Sequence, residues 1–222
     1  MTRGLSRKRP PVVGLEAGAT DDAPRCPACG EPLFVWLETL GYGAREDQII
    51  DRCENCGLAV ARDMVPSPEL AIDELLRDSK ESEQGITVRA ANAASLQAWL
   101  GAENWAALRP GDSSIKPTAR AAALLLGRRG ILVTRARYPA GAGMASMWQT
   151  LLNLLTFHRD FAVEALSGRL RPGSSRGRGA YALDAAITVL AAIPTAILAV
   201  LLEGGAVLAR RGGVIEISAT RS

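Results

Sequence analysis

Cys26-Pro27-Ala28-Cys29-Gly30 and Cys53-Glu54-Asn55-Cys56-Gly57 are two copies of one device, and they decide how the N-terminal part of this chain folds. A Cys-x-x-Cys turn aims two thiolates at a common point, and the following glycine relieves the backbone where the chain reverses. Two such turns supply four sulfurs, a donor set suited to a tetrahedral zinc ion. Cysteine fills all four positions, Cys26, Cys29, Cys53 and Cys56, so no coordination position is left for water and the zinc is expected to be structural. Between the turns, residues 33–37 and 48–50 have strand-like composition and can bring the second turn beside the first. The expected product is a zinc ribbon over residues 25–62.

The surroundings favour metal over disulfide. Met1 to Pro11 is basic, with Arg3, Arg7, Lys8 and Arg9, and no apolar stretch of the kind a secretory signal carries follows it. A cytoplasmic location is therefore expected, where paired cysteines read as ligands first. Residues 1–24 are polar and rich in glycine, proline and arginine, the composition of a disordered tail. Aromatic residues are 5% of the 222, so the remaining core must depend on helix packing. The net charge of +3 is too small to point to nucleic acid, and the ribbon's Arg45, Arg52, Arg62, Trp36 and Tyr42 are too sparse for such a surface.

Beyond the ribbon, residues 69–80 predict a mostly polar helix and residues 85–90 a short strand. Ser95 is placed to cap a helix running to about Leu108, and Pro117-Thr118 to open one over residues 119–129 that stops at Gly130. Residues 131–137 read as a strand, 144–157 as an amphipathic helix, 167–179 as a basic loop, and 213–219 as a closing strand.

This succession resembles the C-terminal third of class I S-adenosylmethionine-dependent methyltransferases, which often carry an N-terminal zinc ribbon. The resemblance covers roughly residues 69–219. It is carried by Ala94-Ser95-Leu96-Gln97-Ala98-Trp99-Leu100, the Pro117-led helix, the 131–137 strand and Gly212-Gly213-Val214-Ile215-Glu216. It implies that the 131–137 and 213–219 strands are neighbours. The cofactor-binding half of such an enzyme is missing: residues 57–84 are too few for its strands and hold no glycine-rich turn, so S-adenosylmethionine is not expected to bind. The fold class expected is α+β, a small ribbon followed by a truncated, mostly helical remnant over residues 63–222, with an apolar helical insertion at 140–209.

No catalytic constellation stands out. Gly141-Ala142-Gly143-Met144 mimics a dinucleotide-binding turn but lacks the third glycine, and reads as a plain helix start. His158, the single histidine, is expected to be structural or at the surface, and Asp184 and Glu203 to mark the ends of an apolar segment. That segment, residues 185–202, carries no charge and is long enough to consider for a membrane. With Pro194 at its centre and arginines on both sides, a bent hairpin in one leaflet at the inner membrane face is expected. The function expected is a non-catalytic, membrane-associated remnant or adaptor. Two alternatives stay open: a methyltransferase completed by a second chain, and a zinc-ribbon adaptor for nucleic acid or protein.

Overall fold

The computed structural model describes residues 23–39, 48–82, 85–109, 113–168 and 175–221. Most of the 1–24 tail, Tyr42 and Arg45, Gly111-Asp112, and residues 169–174 of the 167–179 segment lie outside the described residues.

The chain is α+β. Strands β1 (Leu33–Thr39), β2 (Gln48–Cys53) and β3 (Ala59–Ala61) form an antiparallel meander, with a bulge between Val35 and Leu37. After a 3₁₀ turn, helix α1 (Pro68–Leu76) starts on a Ser67 cap, whose hydroxyl accepts the Leu70 amide, with proline in the first turn. Strands β4 (Lys80–Ser82) and β5 (Gly85–Ala91) then form a hairpin.

Helix α2 (Leu96–Gly101) is capped by Ser95, as expected, but stops well short of Leu108. Gly101 lies against Thr150, where a Cβ would come within 2.5 Å of the threonine methyl, and Ala102 turns to a φ of 45°. Two 3₁₀ turns continue the path. Strand β6 (Ile115–Lys116) pairs with β3 and so adds a fourth strand to the cysteine-bearing sheet, in the order β1-β2-β3-β6.

Helix α3 (Ala119–Gly127) and strand β7 (Ile131–Arg137) follow, separated by Gly130 at a φ of +69°. Helix α4 (Met144–Asn153) ends before Phe157, and a short helix α5 (Phe161–Leu166), not anticipated from the sequence, comes next. Helix α6 (Ser175–Leu208) leads to the last strand, β8 (Val214–Arg221). β8 lies between β5 and β7 and is antiparallel to both, giving a second sheet ordered β4-β5-β8-β7. Its alternation turns Ile215, Ile217 and Ala219 to the core.

The expected hairpin within the apolar segment is corrected: α6 is one continuous 34-residue helix with Pro194 inside it. Proline removes an amide donor and crowds the preceding turn. Here that turn receives side-chain donors. The Thr195 hydroxyl donates to the Ala191 carbonyl at 2.6 Å, and Trp148 Nε1 donates to the Ala192 carbonyl at 3.0 Å. Trp148 of α4 thus fastens α6 on both sides of its proline, at Ala192 and at Thr195.

One hydrophobic core runs from Cys26, Cys53 and Cys56 through Leu58 and Val60, across α1 and α3, to Val88, Ile215 and Ile217. The cysteine sheet and the second sheet are thus joined by packing. A second cluster gathers Ile50, Ala98 and Trp105, with Trp36 edge-on to Trp105 at 6.4 Å. A third joins α2, α4 and α6 through Leu96, Met147, Leu151 and Ala199.

Candidate metal centre

The two cysteine turns have matching backbone geometry. Gly30 N–H donates to the Cys26 carbonyl and Gly57 N–H to the Cys53 carbonyl, both at 2.8 Å. The amide of Cys26 donates to the Glu31 carbonyl at 2.8 Å, and that of Cys53 to Leu58 at 2.9 Å. Gly30 and Gly57 sit at φ of +80° and +76°, the left-handed region that the turn requires and that favours glycine.

β1 starts just after the first turn and β2 ends at Cys53, with Leu33 opposite Cys53 in register. This brings the turns face to face. Cys26 Sγ lies 3.6 Å from Cys56 Sγ, Cys29 Sγ lies 3.4 Å from Cys53 Sγ, and all four sulfurs fall within 4.8 Å of one another. Four sulfurs at about 2.3 Å from a central ion stand about 3.8 Å apart, so the cluster is of a size to hold one metal ion. All four cysteines predicted as ligands are brought together.

The electrostatics favour a cation. A hydrogen bond from Cys56 holds the Cys26 thiol down to about 5, and the same contact with Cys26 pushes the Cys56 thiol up. Burial pushes Cys53 up as well. One thiolate in the cluster disfavours the next, and a bound dication removes that conflict by replacing the protons.

Residues outside the motif fasten it, and the sequence did not single out their part. The Thr118 hydroxyl donates to the Cys56 carbonyl at 2.6 Å while accepting the Ala121 amide at 3.1 Å, so one side chain caps α3 and clamps the second turn. A Cβ on Gly57 would meet the Thr118 methyl at 2.7 Å. Arg120 reaches Asn55 at 2.9 Å. The Ser/Thr cap before an Ala-rich helix was visible; its second hydrogen bond is a product of the fold. Nearby, Asp51 is fully buried and takes a two-pronged bond from Arg62, at 2.9 and 2.7 Å, which fixes β2 against the turn after β3.

The remaining candidates fall elsewhere. Gly143 is the residue before α4, and the space where its Cβ would stand is filled by the Glu203 carboxylate, with Gln97 beside it. The close approach is to protein side chains. His158 Nδ1 lies 2.6 Å from Asp184 Oδ2, and Asp184 also accepts the amides of Phe157 at 2.7 Å and His158 at 3.0 Å. Asp184 and Glu203 are both fully buried, so they face the protein rather than merely bounding the apolar segment. A cleft of about 350 Å³ lies among α1, β5 and β6. Three of its polar side chains are engaged: Glu74 by Ser114, Arg89 by Glu216, and Lys116 by the Ser113 carbonyl.

No family model, no curated protein and no solved structure matches this chain. The four-cysteine cluster, which could hold a metal ion, is the feature its geometry puts forward.

Proposed function

We propose that this chain is a zinc-stapled, membrane-associated scaffold of methyltransferase descent that does not itself transfer a methyl group. The observation that carries the reading is α6. Over residues Arg178–Leu208 it is long and apolar enough to cross a membrane, yet only 11% of its most apolar window is buried within the molecule. Val189, Leu190 and Ile193 are between 73 and 79% exposed. A contiguous apolar surface of that kind marks an interaction site, and lipid suits a face with no polar rim between its side chains.

Zinc is proposed because four thiolates in a closed set, three of them buried, select a soft ion with no open position for chemistry. The methyltransferase descent is read from the motifs between residues 69 and 219. Adjacency of β7 and β8, the neighbours that the resemblance implies, supports it. The non-catalytic reading rests on residues 57–84, which supply β3, a 3₁₀ turn, α1 and β4, with no glycine-rich turn. A second chain completing a methyltransferase sheet would have to extend it beside β5, where β4 already pairs with Gly85, Ile86 and Thr87.

Cell fractionation tests the reading directly: the full-length protein is expected in the membrane fraction, and full recovery in the soluble fraction overturns it. Calorimetry with S-adenosylmethionine is expected to show no saturable heat.

A further inference from the structure

We propose that α6 lies parallel to the membrane surface, with its outer face in one leaflet of anionic phospholipid and the rest of the chain on a single side. This rests on the membrane reading above and goes further, because a helix of this length and hydropathy would also be long enough to span.

The two faces of α6 are distinct. Asp184, Thr195, Ala199, Glu203 and Ala206 form a buried inner stripe, while Val189, Leu190, Ile193, Ile197 and Leu201 form an exposed outer one. From Asp184 to Glu203 the helix rises about 28 Å, close to the full hydrocarbon thickness of a bilayer. Across that whole length the inner stripe is sealed to other elements. Asp184 holds the backbone at Phe157 and His158, Trp148 binds Ala192 and Thr195, and Glu203 holds Gln97 and Gly213, both at 2.8 Å.

The layer beneath is sealed in turn. Thr150 of α4 accepts the Ala106 amide at 3.1 Å, and Asn153 donates to the Asn104 carbonyl at 3.1 Å. If α6 crossed the bilayer, α4 and the 102–108 turns would be carried to hydrocarbon depth. The Arg109–Asp160 ion pair and the backbone groups of those turns would go with them, at a steep desolvation cost. Laid flat, α6 immerses only apolar side chains.

The buried carboxylates also fix the rotation of the helix. Turning the outer face inward would expose Asp184 or Glu203 to lipid and break the hydrogen bonds they accept. Between Arg178 and Arg210 the outer face carries no ionisable group. Exposed Arg178 stands at its start and exposed Arg210 and Arg211 at its end. That charge pattern complements anionic headgroups around an apolar strip.

The test uses the full-length, metal-loaded protein with vesicles of phosphatidylcholine alone or mixed with phosphatidylglycerol. A fluorescent amino acid carrying a dithionite-sensitive group is placed at Gly179 or at Ala209. Binding is expected to be at least about tenfold tighter on the anionic vesicles. Dithionite added outside is expected to bleach both positions. Replacing Ile193 and Ile197 with Glu should weaken binding at least about tenfold with an unchanged thermal midpoint. Membrane binding with one label protected means that α6 spans, which overturns the in-plane proposal and leaves the membrane reading standing. Failure to bind either vesicle overturns both, and a lipid-free dimer that Ile193→Glu dissociates would assign the face to a second copy of this chain.

Discussion

Cys26, Cys53 and Cys56 are between 0 and 3% exposed, whereas Val189, Leu190 and Ile193, in the longest apolar run of the chain, are between 73 and 79% exposed. Hydropathy alone would reverse that order. The cysteine turns belong to a small sheet with little apolar area of its own, and they are drawn inward because four thiols must converge and because the core of α1, α3 and the second sheet covers them. α6 is apolar over most of its circumference, but α2, α4 and α5 cover only one stripe of it. What separates the two regions is the availability of partners. A region becomes buried when something in the chain is shaped to cover it, whatever its apolar content.

The largest effect is expected from depriving the cysteine cluster of zinc. Purified protein is expected to carry one zinc per chain, and Cys53→Ser to lose it. Zinc binding of this class contributes roughly 10 kcal/mol or more to folding. Because the cysteines share a core with α1, α3, β5 and β8, loss of structure should spread well beyond residues 25–62. Metal analysis and chemical denaturation check this; a variant that keeps a full cooperative transition without zinc would separate the cysteine sheet from the rest.

Next comes the inner face of α6. Glu203→Ala leaves the buried Gly213 amide without its acceptor and takes from Gln97 Nε2 one of its two acceptors, the other being the Gly143 carbonyl, and should cost about 3 kcal/mol in denaturant unfolding. A cost near zero would mean that α6 is not fastened to the molecule there. Leu125→Ala, in the core shared by the two sheets, is expected to cost a similar ~3 kcal/mol and to weaken metal retention with it.

Thr118→Val keeps the shape but removes the bond to the Cys56 carbonyl and the cap of α3, and should cost about 1–2 kcal/mol. Competition with a chelator should show faster zinc loss, which a purely helical effect would not cause. The smallest effect is expected at Val189→Asp, within about 0.5 kcal/mol in buffer because the side chain is exposed. The same change should weaken vesicle binding. If it destabilises the lipid-free protein strongly, the outer face of α6 is core rather than a free surface.

Much of the local structure was legible. The two Cys-x-x-Cys-Gly turns, the caps at Ser95 and Thr118, the strand at residues 131–137 and the closing strand all depend on nearest neighbours in sequence. β6 was missed because two residues carry no periodicity, and their pairing with β3 is a contact across more than fifty positions. The hairpin expected around Pro194 failed for a related reason, since the helix continues through the proline where Trp148 on another helix fastens it.

Donor type and spacing picked out the four cysteines that gather into a cluster able to hold a metal ion, because they are local chemistry that survives any arrangement of the rest. The sequence by itself also determined that residues 185–202 are uncharged. Packing between elements made this segment part of a single helix pinned through Asp184 and Glu203. It also decided which face is covered and which is left outward. Those outcomes depend on packing between elements far apart in the chain, and no local pattern encodes how much partner surface will be present when a helix arrives.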